Sequence, residues 1–304
     1  MNKVSLGGPV WLASDIHLGS HNPRTSDAFY KFLAHARRQS SALILLGDIF
    51  DAWIGDDWIR QPPDWLQTAL DHLQLTANTI PLWLMGGNRD FLIGAELAQS
   101  LGAHLIESPC VLEVVISEAH PSETTNATEK AQTTQRFLLA HGDEFCTADR
   151  AYQRFRSVVR NHAVQRLFLT LPLTWRTRIA SRARASSMQT VRSPYDASYD
   201  AQDEAIAKRL VQTGLSTCIH GHTHRPGTYP VLMRSSLANR STSSDTMTRW
   251  VLPDWECDHL QTDRHETCPD ASQQSAVRGG WIQIDQQGPR LIDLGHSDLL
   301  RMES

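Results

Sequence analysis

Acidic and histidine side chains recur in this chain of 304 residues directly after short apolar runs. Asp15 and His17 follow the apolar run at 9–13, and Asp48 follows the run at 42–46. Alternate residues of an extended segment project to the same side, so Asp15 and His17 can reach one metal ion. An oxygen ligand beside an imidazole suits manganese, iron or zinc better than calcium. A turn-capping aspartate or a surface Asp–His pair gives the same short patterns, so neither pattern is decisive alone.

Later apolar runs end in the same way. The run at 80–85 is followed by two glycines and then Asn88 and Arg89. Asn88 offers a neutral oxygen to a metal, and Arg89 offers a planar fork of donors that matches phosphate oxygens. A plain Gly-Gly-Asn turn is the alternative there. Another run leads to His141. Histidine is the commonest metal ligand, and the most specific short motif in the chain has three alternating imidazoles: His220, His222 and His224.

The predicted strands and helices must position these residues close to one another. Two buried strands separated by the helical pattern at 25–40 form a βαβ unit, for which a parallel strand pair is expected. Thr25 or Ser26 can cap that helix. Chemistry in open α/β sheets collects at the carboxyl ends of the strands, which is where Asp48 lies. The patterns predict strands at 9–13, 42–46, 80–85, 111–116, 136–140, 215–219, 250–252, 280–285 and 290–294, with further helices at 64–74, 94–101 and 198–213.

The segment 150–195 differs from the rest of the chain in composition. It contains ten arginines, no lysine and no acidic residue, and it includes the apolar run 167–175. Such a segment is typical of an inserted helical cap that suits a ligand with one anionic and one apolar end, or an anionic membrane face. The alternative is an exposed helical hairpin with its arginines on the solvated side. Nucleic acid is not expected as a partner, because aromatic residues do not alternate with the arginines.

Two polar stretches, 117–135 and 235–278, interrupt the pattern as loop insertions. The first indicates a long hairpin loop, and the Ser- and Thr-rich residues 235–249 are expected to be disordered. The second stretch also holds a conceivable small zinc site, although its spacing matches no common structural zinc pattern. Its members are Cys257, His259, His265 and Cys268.

Composition is that of an ordinary globular protein, with 40% hydrophobic residues, 20% charged residues and a formal net charge of −4. The five cysteines form no C-x-x-C pair, which favours a reducing, intracellular compartment over a disulfide framework. We find no signal peptide and no apolar run of about 18 residues, so a membrane span is not expected. We expect a single domain over residues 1–304 and a monomeric protein.

Together the motifs D-x-H, G-D, G-N-R-D, H and G-H-x-H resemble the calcineurin-like metallophosphoesterases, from about residue 10 to residue 226. The resemblance implies an α/β fold in which a two-sheet β-sandwich is flanked by helices, with two metal ions at the strand ends. It assigns one ion to Asp15, His17, Asp48 and His224. It assigns the other to Asp48, Asn88, His141 and His222, so that Asp48 bridges. Arg89 would neutralise charge on phosphoryl oxygens, and His220 would be structural.

Within that superfamily, the segments 50–57, 87–92, 141–143 and 152–156 resemble the UDP-2,3-diacylglucosamine hydrolase family. This resemblance implies hydrolysis of a diphosphate bond to lipid X and UMP in lipid A biosynthesis, with two Mn²⁺ ions, at the cytoplasmic side of the bacterial inner membrane. Its catalytic residues would be Asp48, Asn88, Arg89 and His222. Its substrate contacts would be Asn88, Arg89, Asp149, Ser187 and His222, with Arg192 in place of basic contacts that Val191 and Pro194 cannot make.

Two other functions remain open from the sequence. The same metal centre could act on another phosphodiester or phosphomonoester. A non-catalytic scaffold that keeps the fold is the second alternative, but it has no need of a complete ligand set or of Arg89.

Overall fold

The computed structural model describes residues 1–118, 131–189, 200–232, 246–258 and 277–296, with the backbone alone at 117–118, 131, 183–189 and 296. Its strands are β1 Lys3–Gly7, β2 Val10–Ala13, β3 Ala42–Leu46, β4 Leu82–Met85, β5 His104–Ile106, β6 Cys110–Glu118, β7 Ala131–Leu139, β8 Thr217–His220, β9 Gly227–Pro230, β10 Thr248–Val251, β11 Gly280–Asp285 and β12 Gly288–Asp293. Its helices are α1 Pro23–Gln39, α2 Asp64–Ala77, α3 Ala95–Leu101, α4 Arg150–Val159, α5 His162–Leu169, α6 Leu173–Gln189 and α7 Asp203–Thr213.

The strands form two six-stranded sheets, ordered β12-β11-β2-β3-β4-β5 and β1-β6-β7-β8-β10-β9. Apolar residues from both sheets pack together between them, including Leu12 and Ile44 from one and Leu139 and Ile219 from the other. The predicted two-sheet sandwich flanked by helices is therefore confirmed.

Parallel pairing brings several strand ends to one edge of the sandwich. β2, β3, β4 and β5 are parallel neighbours, and β8 is parallel to both β7 and β10. The predicted βαβ unit is present, with α1 between β2 and β3. Because parallel strands end on the same side, the residues that follow β2, β3, β4, β7 and β8 lie near one another.

The start of α1 differs from the prediction. Neither Thr25 nor Ser26 caps this helix, which begins at Pro23. Its first N–H groups are instead satisfied from a distant segment: Arg24 N and Thr25 N donate to the carboxylate of Asp258 at 3.0 and 2.9 Å. Local sequence could not reveal a cap that lies more than 230 residues away.

Other differences concern where elements begin. The helix expected at 198–213 begins at Asp203, since the described residues 200–202 are not helical. Thr248 and Arg249, expected to be disordered, lie in β10, and the residues at 233–245 lie outside the description. The short strands β1, β5 and β9 were not predicted, because none of them has an apolar run long enough to signal a strand.

The arginine-rich segment forms the three helices α4, α5 and α6, which we call the cap. Its surface is unusually apolar, with exposed fractions of 71% for Leu167, 60% for Trp175 and 53% for Phe155. Among the helices that the structure describes, none combines the length and apolar character of a membrane span.

Candidate metal centre

Seven side chains from five strand ends converge at one edge of the sandwich. Carboxylate oxygens and imidazole nitrogens of Asp15, His17 and His224 all lie within 4.8 Å of one another, as do those of Asp15, Asp48 and His141. The residues brought together are those predicted from the motifs: Asp15, His17, Asp48, Asn88, His141, His222 and His224.

The backbone at these positions is strained. Among the described residues, the non-glycine residues with positive φ are five of the seven predicted ligands: Asp15 (54°), His17 (55°), Asp48 (51°), His222 (66°) and His224 (52°). A positive φ is uncommon outside glycine and costs roughly 1 kcal/mol or more per residue. The expectation that Asp15 and His17 alternate in an extended segment is therefore wrong. Both residues adopt a left-handed backbone conformation. It is held by two hydrogen bonds: Asp15 N donates to Gly47 O at 3.1 Å, and His17 N donates to Asp48 O at 2.9 Å.

Two glycines permit the close approach of these turns. A Cβ on Gly47, whose φ is +89°, would lie 2.6 Å from Gly87 Cα and 2.7 Å from His141 Nδ1. A Cβ on Gly221 would collide with the side chains of Ser14 and Asp15. The glycines of the G-D and G-H-x-H motifs are thus required because the strand ends pack against each other.

The first group of ligands surrounds Asp15. His224 Nε2 lies 3.4 Å from Asp15 Oδ1, and His17 Nδ1 lies 3.8 Å from Asp48 Oδ2. Asp15 Oδ2 is already engaged, because it accepts bonds from Ser14 Oγ at 2.5 Å and His222 N at 2.9 Å. Asp15 Oδ1 and both ring nitrogens of His17 are buried and have no hydrogen-bond partner within the described structure.

The second group surrounds Asn88. Its Oδ1 lies 2.9 Å from His141 Nε2 and 2.8 Å from His222 Nδ1, and His141 Nε2 lies 3.6 Å from Asp48 Oδ1. His141 Nδ1 is 2.9 Å from the carbonyl oxygen of Leu46, to which it can donate. With that tautomer, His141 Nε2 and Asn88 Oδ1 are both acceptors, an arrangement that a cation between them would stabilise.

The electrostatics also favour a bound cation. Burial raises the pKa of Asp48 to about 7. Burial works to lower the pKa of His141, but the buried carboxylates of Asp48 and Asp15 outweigh it and raise that pKa to about 9. Burial, together with nearby His141, lowers the pKa of His222 to about 3. A cluster of buried carboxylates that draws a proton onto histidine is one in which a divalent cation can replace that proton.

These observations test whether the residues fit divalent metal ions. The orphaned nitrogens of His17 and the free Oδ1 of Asp15 offer unused lone pairs in a buried site. Imidazole, carboxylate and amide donors together suit manganese, iron or zinc. The residues therefore fit divalent metal ions, and Asp48 contributes an oxygen beside both groups.

Asp90 is a buried residue of the site to which sequence reasoning assigned no role. Its carboxylate accepts bonds from four backbone N–H groups: Asp48 at 3.1 Å, Ile49 at 2.7 Å, Phe50 at 3.3 Å and Gly87 at 2.7 Å. It thereby fixes the turn that carries Asp48 against the turn that carries Asn88. Asp90 could be recognised as the last residue of G-N-R-D, but the three donors at 48–50 are about 40 residues away and could not be inferred from spacing.

Arg89 lies on the open side of the centre with 34% of its side chain exposed. Its backbone N–H donates to Asp48 Oδ1 at 2.9 Å, and its Nη1 donates to Asp51 Oδ1 at 3.0 Å. Asp51, to which the sequence assigned no role, thus orients the guanidinium. The exposed part of Arg89 remains available to an anionic ligand.

The first cap helix is attached directly to the centre. Asp143, buried beside His141, accepts bonds from Tyr152 Oη at 2.8 Å and Arg156 Nε at 2.7 Å. Arg160 Nη2 donates to the carbonyl oxygen of Gly87 at 3.0 Å. These contacts tie α4 to the turns that carry His141 and Asn88.

The end of the cap is attached through a buried arginine. Arg176, only 2% exposed, donates to Ile54 O at 2.6 Å, to Leu171 O at 2.9 Å and to both carboxylate oxygens of Asp57. The helical-hairpin alternative placed the cap arginines on the solvated side. Arg176 does not fit that alternative, because it is buried. The acidic loop at 50–57, predicted without a role, receives this arginine.

The other predicted site residues lie elsewhere. Asp149 caps α4, since its Oδ1 accepts a bond from Tyr152 N at 2.9 Å. The backbone of Ser187 belongs to α6, but its side chain and the whole of Arg192 lie outside the described residues. His220 is fully buried, and burial lowers its pKa to about 4, which is consistent with a structural role. Of the conceivable zinc ligands, only Cys257 is described; it is buried and its N–H donates to Thr25 Oγ1 at 2.9 Å.

Comparison with known proteins gives a consistent result. The calcineurin-like phosphoesterase family model matches residues 8–226. Curated relatives described as UDP-2,3-diacylglucosamine hydrolase include those of Bordetella pertussis (41% identity, 97% of this chain and 98% of the relative), Ralstonia nicotianae (37%, 85% and 88%) and Chromobacterium violaceum (34%, 94% and 99%). The family resemblance inferred from the motifs is confirmed. The chain belongs to the calcineurin-like phosphoesterase family.

Proposed function

We propose that this protein is a metal-dependent hydrolase that cleaves the diphosphate bond of UDP-2,3-diacylglucosamine to give 2,3-diacylglucosamine 1-phosphate and UMP. One observation carries the proposal: seven nitrogen and oxygen donors converge beside an exposed arginine, directly under a basic, apolar cap. Relatives at 34–41% identity over most of the chain are described as hydrolases of this substrate.

The chemistry divides between the two ligand groups. When bound, two divalent cations supply the Lewis acidity that turns water into a nucleophile at neutral pH. Asp15, His17, Asp48 and His224 would hold one ion, and Asp48, Asn88, His141 and His222 the other. The mixed imidazole and carboxylate set supports manganese as the metal.

Arg89 and His222 are the residues nearest to a reacting phosphoryl group in this proposal. The guanidinium of Arg89, oriented by Asp51 at 3.0 Å, can pair with phosphoryl oxygens as negative charge develops on them. His222, whose pKa is lowered to about 3, stays neutral at working pH and keeps a lone pair for a ligand. Further substrate contacts are proposed for Asn88, Asp149, Ser187 and Arg192.

The cap offers room for the apolar part of such a substrate. A cavity of about 490 Å³ lies between the cap and the core. Its apolar lining comes from Phe91, Leu92 and Ile93 on the core side and Leu169 on α5. Polar residues line the rest of it: Asp56, Asp57, Glu96 and Gln165. A lipid with one anionic and one apolar end would therefore meet cations and Arg89 at one end and this cavity at the other.

We also propose that the protein acts as a monomer of one domain, peripherally bound at the cytoplasmic side of the bacterial inner membrane. The segment 150–195 contains arginines but no acidic residue, and it exposes Leu167 and Trp175. Such a surface suits a membrane of anionic lipids. Co-sedimentation with vesicles of phosphatidylglycerol, but not with vesicles of phosphatidylcholine alone, is the expected result. Equal recovery with both would contradict the electrostatic part of this proposal.

The direct test is incubation of the purified chain with UDP-2,3-diacylglucosamine and Mn²⁺, followed by chromatography for UMP. We expect UMP to form with Mn²⁺ and not in its absence after chelation. The acyl-free analogue UDP-N-acetylglucosamine and an aryl phosphodiester serve as comparison substrates. Faster cleavage of either would favour the alternative of another phosphoester substrate, and no cleavage of any substrate would favour the scaffold.

A further inference from the structure

Asp254 lies behind the metal centre, in a segment beyond the residues that the family model matches. It follows β10, and 252–258 run alongside the turns that carry the predicted ligands. Leu252 N donates to His220 O at 2.8 Å, and Trp255 N donates to Asp15 O at 3.0 Å. The segment is therefore bonded to the backbone on both sides of Asp254, and its position relative to the centre is fixed.

The carboxylate of Asp254 faces the outer nitrogen of His224. Its Oδ2 lies 3.5 Å from His224 Nδ1 and 3.1 Å from Arg278 Nη2, and its side chain is only 6% exposed. On the opposite side of the same ring, His224 Nε2 lies 3.4 Å from Asp15 Oδ1. The imidazole thus stands between two buried carboxylates, one inside the centre and one behind it.

We propose that Asp254 is a positioning residue that orients His224 for metal binding, and this inference rests on the proposed metal centre. The carboxylate accepts the proton of Nδ1, which leaves the lone pair of Nε2 directed into the centre beside Asp15. A carboxylate behind a ligating histidine fixes its tautomer and ring angle and makes the inner nitrogen a better donor. Arg278, 59% exposed, pairs with the same carboxylate oxygen from the solvent side.

His224 needs such support more than the other predicted ligands do. Its side chain is 37% exposed, whereas that of His141 is fully buried and is held by the carbonyl oxygen of Leu46. The backbone at His224 is also left-handed, with φ 52°. Without a partner at Nδ1, a half-exposed ring on a strained turn would sample other orientations, and the first ligand group would lose a donor.

The test is Mn²⁺ binding to the full chain after removal of metal with a chelator. Free Mn²⁺ is followed by its electron paramagnetic resonance signal during titration, so the measurement does not depend on activity. For Asp254→Ala we expect two equivalents at saturation, with one of the two sites weakened about 10- to 100-fold. Asp254→Asn keeps an acceptor toward Nδ1 and is expected to give a smaller loss.

The matched control is Asp258→Ala, which removes a carboxylate from the same segment. The carboxylate of Asp258 accepts bonds from Arg24 N, Thr25 N and Thr25 Oγ1 in the first turn of α1. We expect this control to lower the thermal unfolding temperature while leaving both Mn²⁺ affinities unchanged. A purely structural role of the segment would instead make the two alanine variants behave alike.

The outcomes separate this inference from the proposed function. If the unchanged chain binds no Mn²⁺, the proposed metal centre itself fails. If it binds two equivalents and Asp254→Ala binds them equally tightly, only the role of Asp254 is overturned. Loss of a whole equivalent at saturation would also overturn it, because Asp254 would then be a ligand and not a positioning residue.

Discussion

The metal centre and the cap differ in how firmly the fold holds them. The centre is built from five strand ends whose turns bond to one another, and Asp90 alone accepts four backbone bonds there. In the described residues the cap is attached through α4, which bonds to Asp143 and Gly87, and through Arg176 in the first turn of α6. Asp15, Asp48 and His141 in the centre are buried, whereas the cap exposes Leu167 and Trp175.

This difference indicates a division of labour. A centre that is strained and fully braced suits chemistry, because ligands must be held in one geometry before a metal or substrate arrives. A cap that is held by a few polar contacts and carries apolar surface suits selection of the substrate. Changes in the centre should therefore affect every substrate, and changes in the cap only those substrates with acyl chains.

The largest effect is expected for Asp48→Ala. It removes the carboxylate shared by both ligand groups, so we expect kcat/KM to fall by about 10³-fold or more for the lipid and the aryl phosphodiester alike. Steady-state assays with both substrates measure the change. Asp71→Ala, which removes a carboxylate on the exposed side of α2, is the control. Near-full activity of Asp48→Ala would refute the shared site.

The next effect concerns stability. Asp90→Ala leaves four buried N–H groups without their acceptor, so we expect the free energy of unfolding to fall by at least about 3 kcal/mol. Chemical denaturation followed by circular dichroism measures this loss. Asp90→Asn keeps one oxygen acceptor and should lose less. A loss below about 1 kcal/mol in Asp90→Ala would mean that the turns are braced by other contacts.

A smaller and selective effect is expected for Asp57→Ala in the loop that receives the cap. Arg176 would lose two charged hydrogen bonds while staying buried, so we expect the last part of the cap to loosen by about 2 kcal/mol. Hydrogen exchange of α5 and α6 should rise, and kcat/KM for the lipid should fall about tenfold, equivalent to 1.4 kcal/mol. Aryl phosphodiester cleavage should stay unchanged.

The control for that variant is Lys3→Ala, which breaks the surface pair between Lys3 and Glu113 on the edge strand β1. Exposed pairs contribute about 0–1 kcal/mol, so neither reaction should change measurably. Equal losses for both substrates in Asp57→Ala would contradict the separation between cap and centre.

The smallest effect is a pH dependence of the cap. The hydrogen bond from Arg176 lowers the pKa of Asp57 below the ordinary value of 3.8. The stabilisation from this pair is therefore fully present above about pH 4 and is lost as pH falls through the lowered pKa. We expect the hydrogen-exchange protection factors of α5 and α6, corrected for the intrinsic rate at each pH, to fall in that acid range, and to fall less in Asp57→Asn. The same acid profile in both proteins would assign the effect to other carboxylates.

Sequence reasoning could predict the residues that converge in the candidate centre, because their side-chain types and short motif spacings are visible in the sequence. Asp15, His17, Asp48, Asn88 and His141 each follow a buried apolar run, and parallel strands end at one edge whatever the details of packing. Residue type alone also disfavoured a disulfide framework and made a basic, apolar cap recognisable.

The tertiary structure decided how those residues are held. Three features join segments far apart in the chain: the bond that holds the left-handed turn at Asp15, the three bonds from 48–50 to Asp90, and the carboxylate of Asp254 behind His224. No local pattern encodes such contacts, because they exist only once two sheets have packed and brought their strand ends within hydrogen-bonding distance. Local sequence motifs thus predict which residues are the candidate ligands, whereas the packing of distant segments sets their geometry.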